Sequence, residues 1–495
     1  MGSITRREKY AEIVLSIVPR ILSSIDDNLL SDTYGCVDKA YWFYKTKDFP
    51  CSRLQEAGLT LALLYFNKFK GNIYYNQPRI KELAIAALDY TIKIQHKDGS
   101  FDEWYPNEHS FCATAFVTYS MSEVCLQLGI KEAKYLHHFE KGVSFLMKTK
   151  EDVANQQAGS LIAIYNLYLL TNNKKFINYS KRKLAILSKL QSEEGWFAEY
   201  GSADIGYLTV TLDCLGKYYS RSKDLQAFDM AKKALDFLKY FIHPDGSLGG
   251  VYGSRGAEFK FPHGLEIFSR YNEDAAYLAK RIYDSIDDTL NPAMMDDRYA
   301  LVYNVSYLQA CITPGIFKDR MQKDKIKLFK HSGLYIVDSK DYYFVCNLNK
   351  GGVYTIFRNG IRKDDSGIFV RQNGRLLTSQ WQNSSRYMIE DNKIFIKGYL
   401  HEMFPIQRLS PMKNAVFRLF LSTIGRNAMI AQNFKTILRK LLILKSNKTS
   451  YRFERKIYLD KFIKVIDMDF KGKIISSSNI KTNYVPTSRF WNGEL

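Results

Sequence analysis

The sequence predicts an N-terminal (α/α)6-type toroid followed by a C-terminal antiparallel β-sandwich-like domain. Three observations carry that expectation. From about residue 7 to 311, apolar residues recur at three- and four-residue spacing in about six pairs of segments. Turns of one shared form recur between those segments. After Pro314-Gly315 the texture changes to short β-branched and aromatic runs separated by Gly, Asn and Asp. A chain of 495 residues is also too long for one ordinary core. We therefore expect a toroid over 1–315, a linker over 316–330 and a β-domain over 331–495.

The helical pairs are read at 7–26 with 53–69, 78–95 with 109–128, 132–149 with 153–171, 174–190 with 203–220, 225–242 with 261–271, and 274–286 with 297–311. One member of each pair carries more Lys and Glu, the other more Ala, Leu, Gly and Tyr. That alternation fits an outer and an inner ring, with an open solenoid as the competing arrangement. The shared turns are Gln95-His96-Lys97-Asp98-Gly99-Ser100-Phe101, Gln191-Ser192-Glu193-Glu194-Gly195-Trp196-Phe197 and His243-Pro244-Asp245-Gly246-Ser247-Leu248. Each follows an outer helix, puts Gly where φ must be positive and then sends an apolar residue inward. The loops that follow, 103–109, 199–207 and 252–263, all precede inner helices and so converge on one rim.

Strands are expected at Gly333 to Asp338, Tyr342 to Asn347, Gly352 to Arg358 and Gly367 to Arg371. A helical insertion is expected at about 414–444. It carries Arg418, Arg426, Lys435, Arg439 and Lys440 among Phe, Leu and Ile without an acidic residue. Such a pattern suits an anionic membrane surface or a partner, or else a helix packed on the sheet.

Composition narrows the classes further. With 46% hydrophobic, 14% aromatic and 25% charged residues, the chain is a folded protein and not a disordered one. Its 35 Tyr and 31 Phe supply flat faces with polar edges of the kind sugar clefts use, besides ordinary core aromatics. A net charge of +20 favours anionic partners. Nucleic acid ranks last among them, because no basic run is interleaved with a nucleic-acid module. The seven cysteines are scattered and odd in number, without CxxC spacing, and read as small buried hydrophobes in a reducing compartment. Neither a signal-peptide core nor a spanning helix is read, so a cytoplasmic location is expected, with the membrane surface as an extension.

Two stretches carry chemistry. Asn155-Gln156-Gln157-Ala158-Gly159 heads an inner helix, and Glu199, Ser202 and Tyr207 stand in an E-x-x-S-x-x-x-x-Y arrangement after Glu194-Gly195-Trp196-Phe197. On these stretches, and on the passage from His331-Ser332-Gly333-Leu334-Tyr335 to Leu376-Leu377, the chain resembles the heparinase II/III-like polysaccharide lyases. That resemblance implies a toroid joined to a β-sandwich and β-elimination from an acidic polysaccharide, free or lipid-linked. It also implies that Asn155 neutralises a uronate carboxylate and that Tyr207 acts as acid and base. An Asn at a helix start also serves as a cap, and a Tyr at a loop–helix junction as a packing residue.

The chain departs from the family where Phe357 to Ser366 has no histidine. The missing role then falls to His263 or His109 on the rim, or to His331. Expected substrate contacts are Trp104, Tyr105, Tyr200, Asp204, Tyr252, Arg255 and Glu258 from the rim loops, with Arg358 and Arg362 from the β-domain. A glycoside hydrolase using two carboxylates among Glu103, Glu199, Asp204 and Glu258 is the competing enzyme, and a non-catalytic glycan-binding protein is the third reading. A terpene cyclase is disfavoured because Met295-Asp296-Asp297-Arg298-Tyr299 lacks a full aspartate-rich motif. No Walker, Rossmann or metal-helix motif is read, so no cofactor and no metal are expected.

Overall fold

Inner and outer helices differ in sequence because they bury different fractions of their surface. The computed structural model describes residues 7–381, 385–402, 410–439, 447–460 and 463–469. Its helical half contains α1 (Glu8–Ser24), α2 (Lys39–Trp42), α3 (Ala57–Phe66), α4 (Pro78–Lys93), α5 (Phe111–Leu128), α6 (Ala133–Lys148) and α7 (Ala154–Thr171). There follow α8 (Lys175–Lys189), a short hairpin of β1 (Ala198–Glu199) and β2 (Ser202–Ala203), α9 (Ile205–Ser222), α10 (Leu225–Leu238), α11 (Pro262–Phe268), α12 (Glu273–Asp284) and α13 (Asp297–Ile312).

Helices α3, α5, α7, α9, α11 and α13 each pack on the next, and α13 returns to α3, so the inner ring is closed. That closure excludes an open solenoid. Helices α4, α6, α8, α10 and α12 each pack on the inner helix before them, and α1 packs on α13 to seal the outer ring. Outer helices bury one stripe, whereas α5 and α7 are buried on nearly every side. The seal is also ionic. Arg7 Nε donates to Glu266 Oε1 at 3.0 Å, and Gly315 N–H donates to Glu266 Oε2 at 2.7 Å.

The three shared turns have one mechanical job. Gly99 and Gly195 have φ of +92° and +100°, and a Cβ on either would lie 2.1–2.2 Å from a backbone carbonyl of the neighbouring outer helix, at Lys141 and Lys233. Gln95 and Gln191 complete the joint, each donating from Nε2 to the glycine carbonyl and to a carbonyl of that same helix. In the third turn His243 stands in place of the glutamine. Its ring pairs with Ser247 and with the Tyr252 hydroxyl at 2.8 Å.

The C-terminal half holds two antiparallel sheets. One has the order β3 (Ile326–Phe329), β4 (Leu334–Asp338), β5 (Tyr343–Asn347), β6 (Val353–Arg358), β7 (Ile361–Asp365). The other contains β8 (Phe369–Gln372), β9 (Arg375–Thr378), β10 (Ser385–Glu390), β11 (Lys393–Glu402), β12 (Lys448–Leu459) and β13 (Ile463–Asp469). Its path runs β13-β12-β11-β9-β8, with β10 on β11. Strand β3 occupies part of the stretch read as linker, and its Phe329 packs on Phe237 of the toroid with ring centroids 4.6 Å apart.

Strands β4 and β5 are buried on both faces, which explains their unbroken apolar runs. Leu334, Ile336, Tyr343 and Val345 join the toroid core. Tyr335, Val337, Phe344 and Cys346 face the other way, into a second core with Ile394, Ile396, Phe453 and Ile457. The first sheet is thus a middle layer between toroid and second sheet. Polar contacts lock it to the toroid: Tyr343 OH donates to Tyr240 O at 2.8 Å, Asn347 Nδ2 to Tyr252 O at 2.7 Å, and Lys350 Nζ to Gly253 O at 2.8 Å.

The basic insertion, read as one helix, is a pair: α14 (Pro411–Ser422) and α15 (Ala428–Arg439). The break follows from local capping. The Ser422 and Thr423 hydroxyls bond back to Leu419 O, and Asn427 Oδ1 accepts from Met429 and Ile430 N–H. Lys440, Leu441, Leu442 and Ile443 lie outside the described residues. The pair reaches away from its sheet to the toroid rim. There Asn107 Nδ2 donates to Leu421 O at 3.0 Å, and Tyr105 packs edge-on against Phe417.

Candidate functional site

A concavity opens where the inner helices begin, and the direction of those helices has an electrostatic consequence. Cys112 of α5, Asn155 and Gln156 of α7, Tyr207 of α9 and Arg298 and Tyr299 of α13 all line it from helix N-terminal turns. Converging N-termini present partial positive charge and favour an anionic ligand. The cavity measures about 1210 Å³ with its open mouth included.

Charged side chains add directed hydrogen-bond donors to that bias. Arg53, Lys217, Arg255, Arg298 and Lys435 line the cavity against Glu56, Glu103 and Asp213, five cations to three carboxylates. Each cation is braced by a carboxylate: Arg53 by Glu56, Lys217 by Asp213, Arg298 by Glu103, Arg255 by Glu199 and Lys435 by Glu108. Glu199 and Glu108 are buried behind the wall, at 1% and 0% exposure, and do not line the cavity. Burial pushes the Glu56 carboxyl upward against the pull of Arg53.

Asn155 and Tyr207 are brought to the same cavity. Asn155 does not cap its helix, since the N-cap position is Val153 and makes no side-chain cap bond. Instead Asn155 Nδ2 donates to Glu199 Oε1 at 2.6 Å, and its backbone N–H to the same oxygen at 3.1 Å. Burial lifts the Glu199 carboxyl to about 7, although Arg255 and the Asn155 donors pull it down. The Arg255 guanidinium carbon lies 3.7 Å from the Tyr207 ring centroid and 4.6 Å from that of Tyr200. Burial holds the Tyr207 phenol above its ordinary value, with Arg255 as the largest opposing influence.

Local sequence explains this placement. Asp204 caps α9 by accepting from Tyr207 N–H at 3.2 Å, and it accepts from Arg255 N–H at 2.8 Å. Ser254 N–H donates to Ala203 O at 2.9 Å. One buried aspartate thus ties the β1–β2 hairpin, the start of α9 and the Arg255 loop together. A Cβ on Gly206 would meet Ala257 at 2.8 Å, so glycine there permits the close approach of the two loops.

Of the other expected contacts, Trp104 and Tyr200 line the cavity, and Arg298 stacks over the Trp104 ring at 3.7 Å. The remainder lie elsewhere. Asp204 is 2% exposed and acts as the brace just described. Tyr252 is fully buried at the interface of the two halves, Glu258 pairs with Arg362 across it, and Arg358 ends β6 outside the cavity lining. Tyr105 packs beneath α14.

Neither rim histidine lines this cavity. His109 is buried, with Nδ1 2.9 Å from Asp98 and 2.7 Å from Ser100 Oγ, and it stacks on His96. His263 lines a second concavity at the opposite mouth of the ring. It pairs there with Thr313, and burial depresses it to about 3. His331 offers its backbone N–H to Glu194. Of the carboxylates weighed for hydrolysis, Glu103 alone lines the cavity; Glu199, Asp204 and Glu258 do not.

Sequence reading missed Arg53, Glu56, Lys217, Arg298 and Lys435. A signal existed on α9, where Tyr207, Val210, Cys214 and Lys217 all line the cavity and recur at three- and four-residue spacing. Among the described residues no group of three or more His, Cys, Asp or Glu is placed to hold a metal, and no helix is long and apolar enough to cross a membrane.

No protein-family model and no curated protein matches the sequence. Solved structures do resemble it in part. A Paenibacillus xanthan lyase is 12% identical, with 80% of this chain and 44% of that one covered and a TM-score of 0.49. The chain thus spans less than half the length of that lyase. A Streptomyces coelicolor chondroitin AC lyase in complex with chondroitin sulphate is 10% identical over 80% of this chain and 67% of that one, with a TM-score of 0.49. An unsaturated glucuronyl hydrolase from Streptococcus agalactiae is 10% identical over 63% and 93%, with a TM-score of 0.43.

Proposed function

We propose that the protein binds a uronic-acid-containing polysaccharide in the toroid cavity and cleaves it by β-elimination. The observation that carries this reading is the convergence of Asn155, Tyr207 and Arg255 in one cavity lined by the N-terminal turns of the inner helices. Elimination begins with loss of the proton at C5 of the uronate, which is acidic only when its carboxylate is neutralised by donors. Asn155 and Arg255 supply those donors.

No histidine lines the cavity, so Tyr207 serves both proton steps. Its phenolate oxygen takes the C5 proton, the C4–O bond breaks as the C4–C5 double bond forms, and the same phenol returns the proton to the departing oxygen. The guanidinium over its ring stabilises the phenolate form. The substrate class includes cell-surface polysaccharides of bacteria, free or lipid-linked. Six of the seven cysteines are buried and no disulfide joins them, which suits the cytoplasm as the place of action.

The experiment is an absorbance assay across acidic polysaccharides with the full chain. Elimination creates a conjugated double bond that absorbs in the near ultraviolet. One observation favours a second reading, hydrolysis: Glu56, raised by burial, shares the cavity wall with Glu103. New reducing ends without the chromophore would establish hydrolysis instead, and binding without either would establish a non-catalytic glycan receptor.

A further inference from the structure

The α14–α15 pair has two unlike faces. One face holds the toroid: Lys435 pairs with Glu108 at 2.6 Å, Gln432 Nε2 donates to His109 O, and Arg418 lies 3.3 Å from Asp48. The other face is apolar and open. Met412, Val416 and Leu419 form one stripe of α14 at 75%, 64% and 65% exposure, and Ile424, Met429 and Ile437 continue it through the turn and along α15. Six large apolar side chains exposed along one face of a helix pair call for an occupant.

Charge identifies the occupant. No acidic residue occurs between Glu402 and Glu454, whereas Lys and Arg recur throughout, and Lys413 and Arg426 are exposed beside the stripe. A second copy of this chain would bring two such basic surfaces together and would be repelled. An anionic bilayer satisfies both features, because acyl chains accept the apolar side chains and phosphate headgroups accept the cations.

We propose that the α14–α15 pair docks the protein peripherally on an anionic lipid bilayer, apolar stripe inward. The pair is clamped to the toroid through Lys435, which also lines the cavity, so docking holds the cavity mouth beside the membrane surface. This inference is independent of the reaction performed in the cavity.

The test is flotation of the full chain with vesicles of phosphatidylcholine alone and of phosphatidylcholine with phosphatidylglycerol. Binding is expected only to the anionic vesicles at low salt, and is expected to fall as salt rises. Each basic residue near such a surface contributes roughly fivefold in partition, so K413Q/R426Q should lower binding about 30-fold. Leu419→Asp and Met429→Asp, assayed separately, should each abolish flotation while leaving the melting temperature unchanged. K181Q/R182Q on outer helix α8 should change little. The proposal is overturned if anionic vesicles fail to bind at low salt, or if the α8 pair matters as much as Lys413 and Arg426. It is also overturned if both aspartate variants still float, or if light scattering shows a dimer that Leu419→Asp dissolves.

Discussion

Replacing Arg7 by leucine removes one half of a buried ion pair at the joint between first helix, ring and β-domain. The side chains of Arg7 and Glu266 are 6% and 0% exposed. Arg7 donates to both Glu266 oxygens and to Gly315 O, and its guanidinium lies 3.4 Å from the Phe317 ring centroid. An uncompensated carboxylate left in this site costs about 3–5 kcal/mol. R7L/E266L should recover part of that loss and cost about 1–3 kcal/mol, chiefly because Gly315 N–H then lacks its acceptor. Burial already pushes the Glu266 carboxyl above its ordinary value despite Arg7. A raised carboxyl holds its proton more firmly in the folded than in the unfolded chain, so its contribution to stability falls as pH rises through that window. Removing Arg7 widens the window. The cost of R7L should therefore be greatest near about pH 8 and shrink toward about pH 5. Urea unfolding followed by fluorescence at both pH values measures it. An equal cost at the two pH values, or a double variant as costly as R7L, would contradict a cost set by an unpaired, buried Glu266 carboxylate.

Further outcomes follow from the same geometry. Glu199→Gln should flatten the fall in stability between the ordinary Glu value and about 7, a fall of at most roughly 3 kcal/mol, because an amide does not titrate; thermal melts across that range decide it. Gly264→Ala should destabilise by about 1–3 kcal/mol, because a Cβ there meets Asp213 Cα and Leu212 O at 2.5 Å; chemical denaturation reads the loss, and an unchanged midpoint would count against the α9–α11 packing. Arg255→Met should lower kcat by about 10²-fold or more through loss of transition-state charge stabilisation, with steady-state kinetics as the readout and a change confined to KM as the contrary result.

Much of the architecture is legible in the sequence because rings of helices impose period and composition together. The Gln-x-x-x-Gly turns are legible for a physical reason: Gly99 and Gly195 must approach a neighbouring carbonyl too closely for any side chain. The site was legible only in part. Asn155, Tyr207 and Arg255 stand in loops and first turns whose spacing draws the eye. Arg53 and Arg298 stand in polar stretches with no periodic signal and meet only when the ring closes, whereas Lys217 could have been found from the cavity-facing spacing on α9. His263 looked like a rim residue because it follows Pro262 at a helix start, yet the short α11 turns it toward the far mouth. Tyr252, Glu258 and Arg362 were read as ligand contacts because cross-domain burial leaves no local periodicity. Strand β3 was missed because Ile326, one of its only four residues, is exposed and Phe329 packs on the toroid.

The fate of water oxygen tells which bond chemistry the cavity performs. An acidic polysaccharide digested in water enriched in heavy oxygen, with the products analysed by mass spectrometry, separates the two chemistries. β-Elimination gives unsaturated products, each lighter by one water than its hydrolysed counterpart and free of heavy oxygen. Their formation should be lost in Tyr207→Phe while polysaccharide binding is kept. Products carrying heavy oxygen at the new chain end, or full activity in Tyr207→Phe, would contradict elimination through Tyr207.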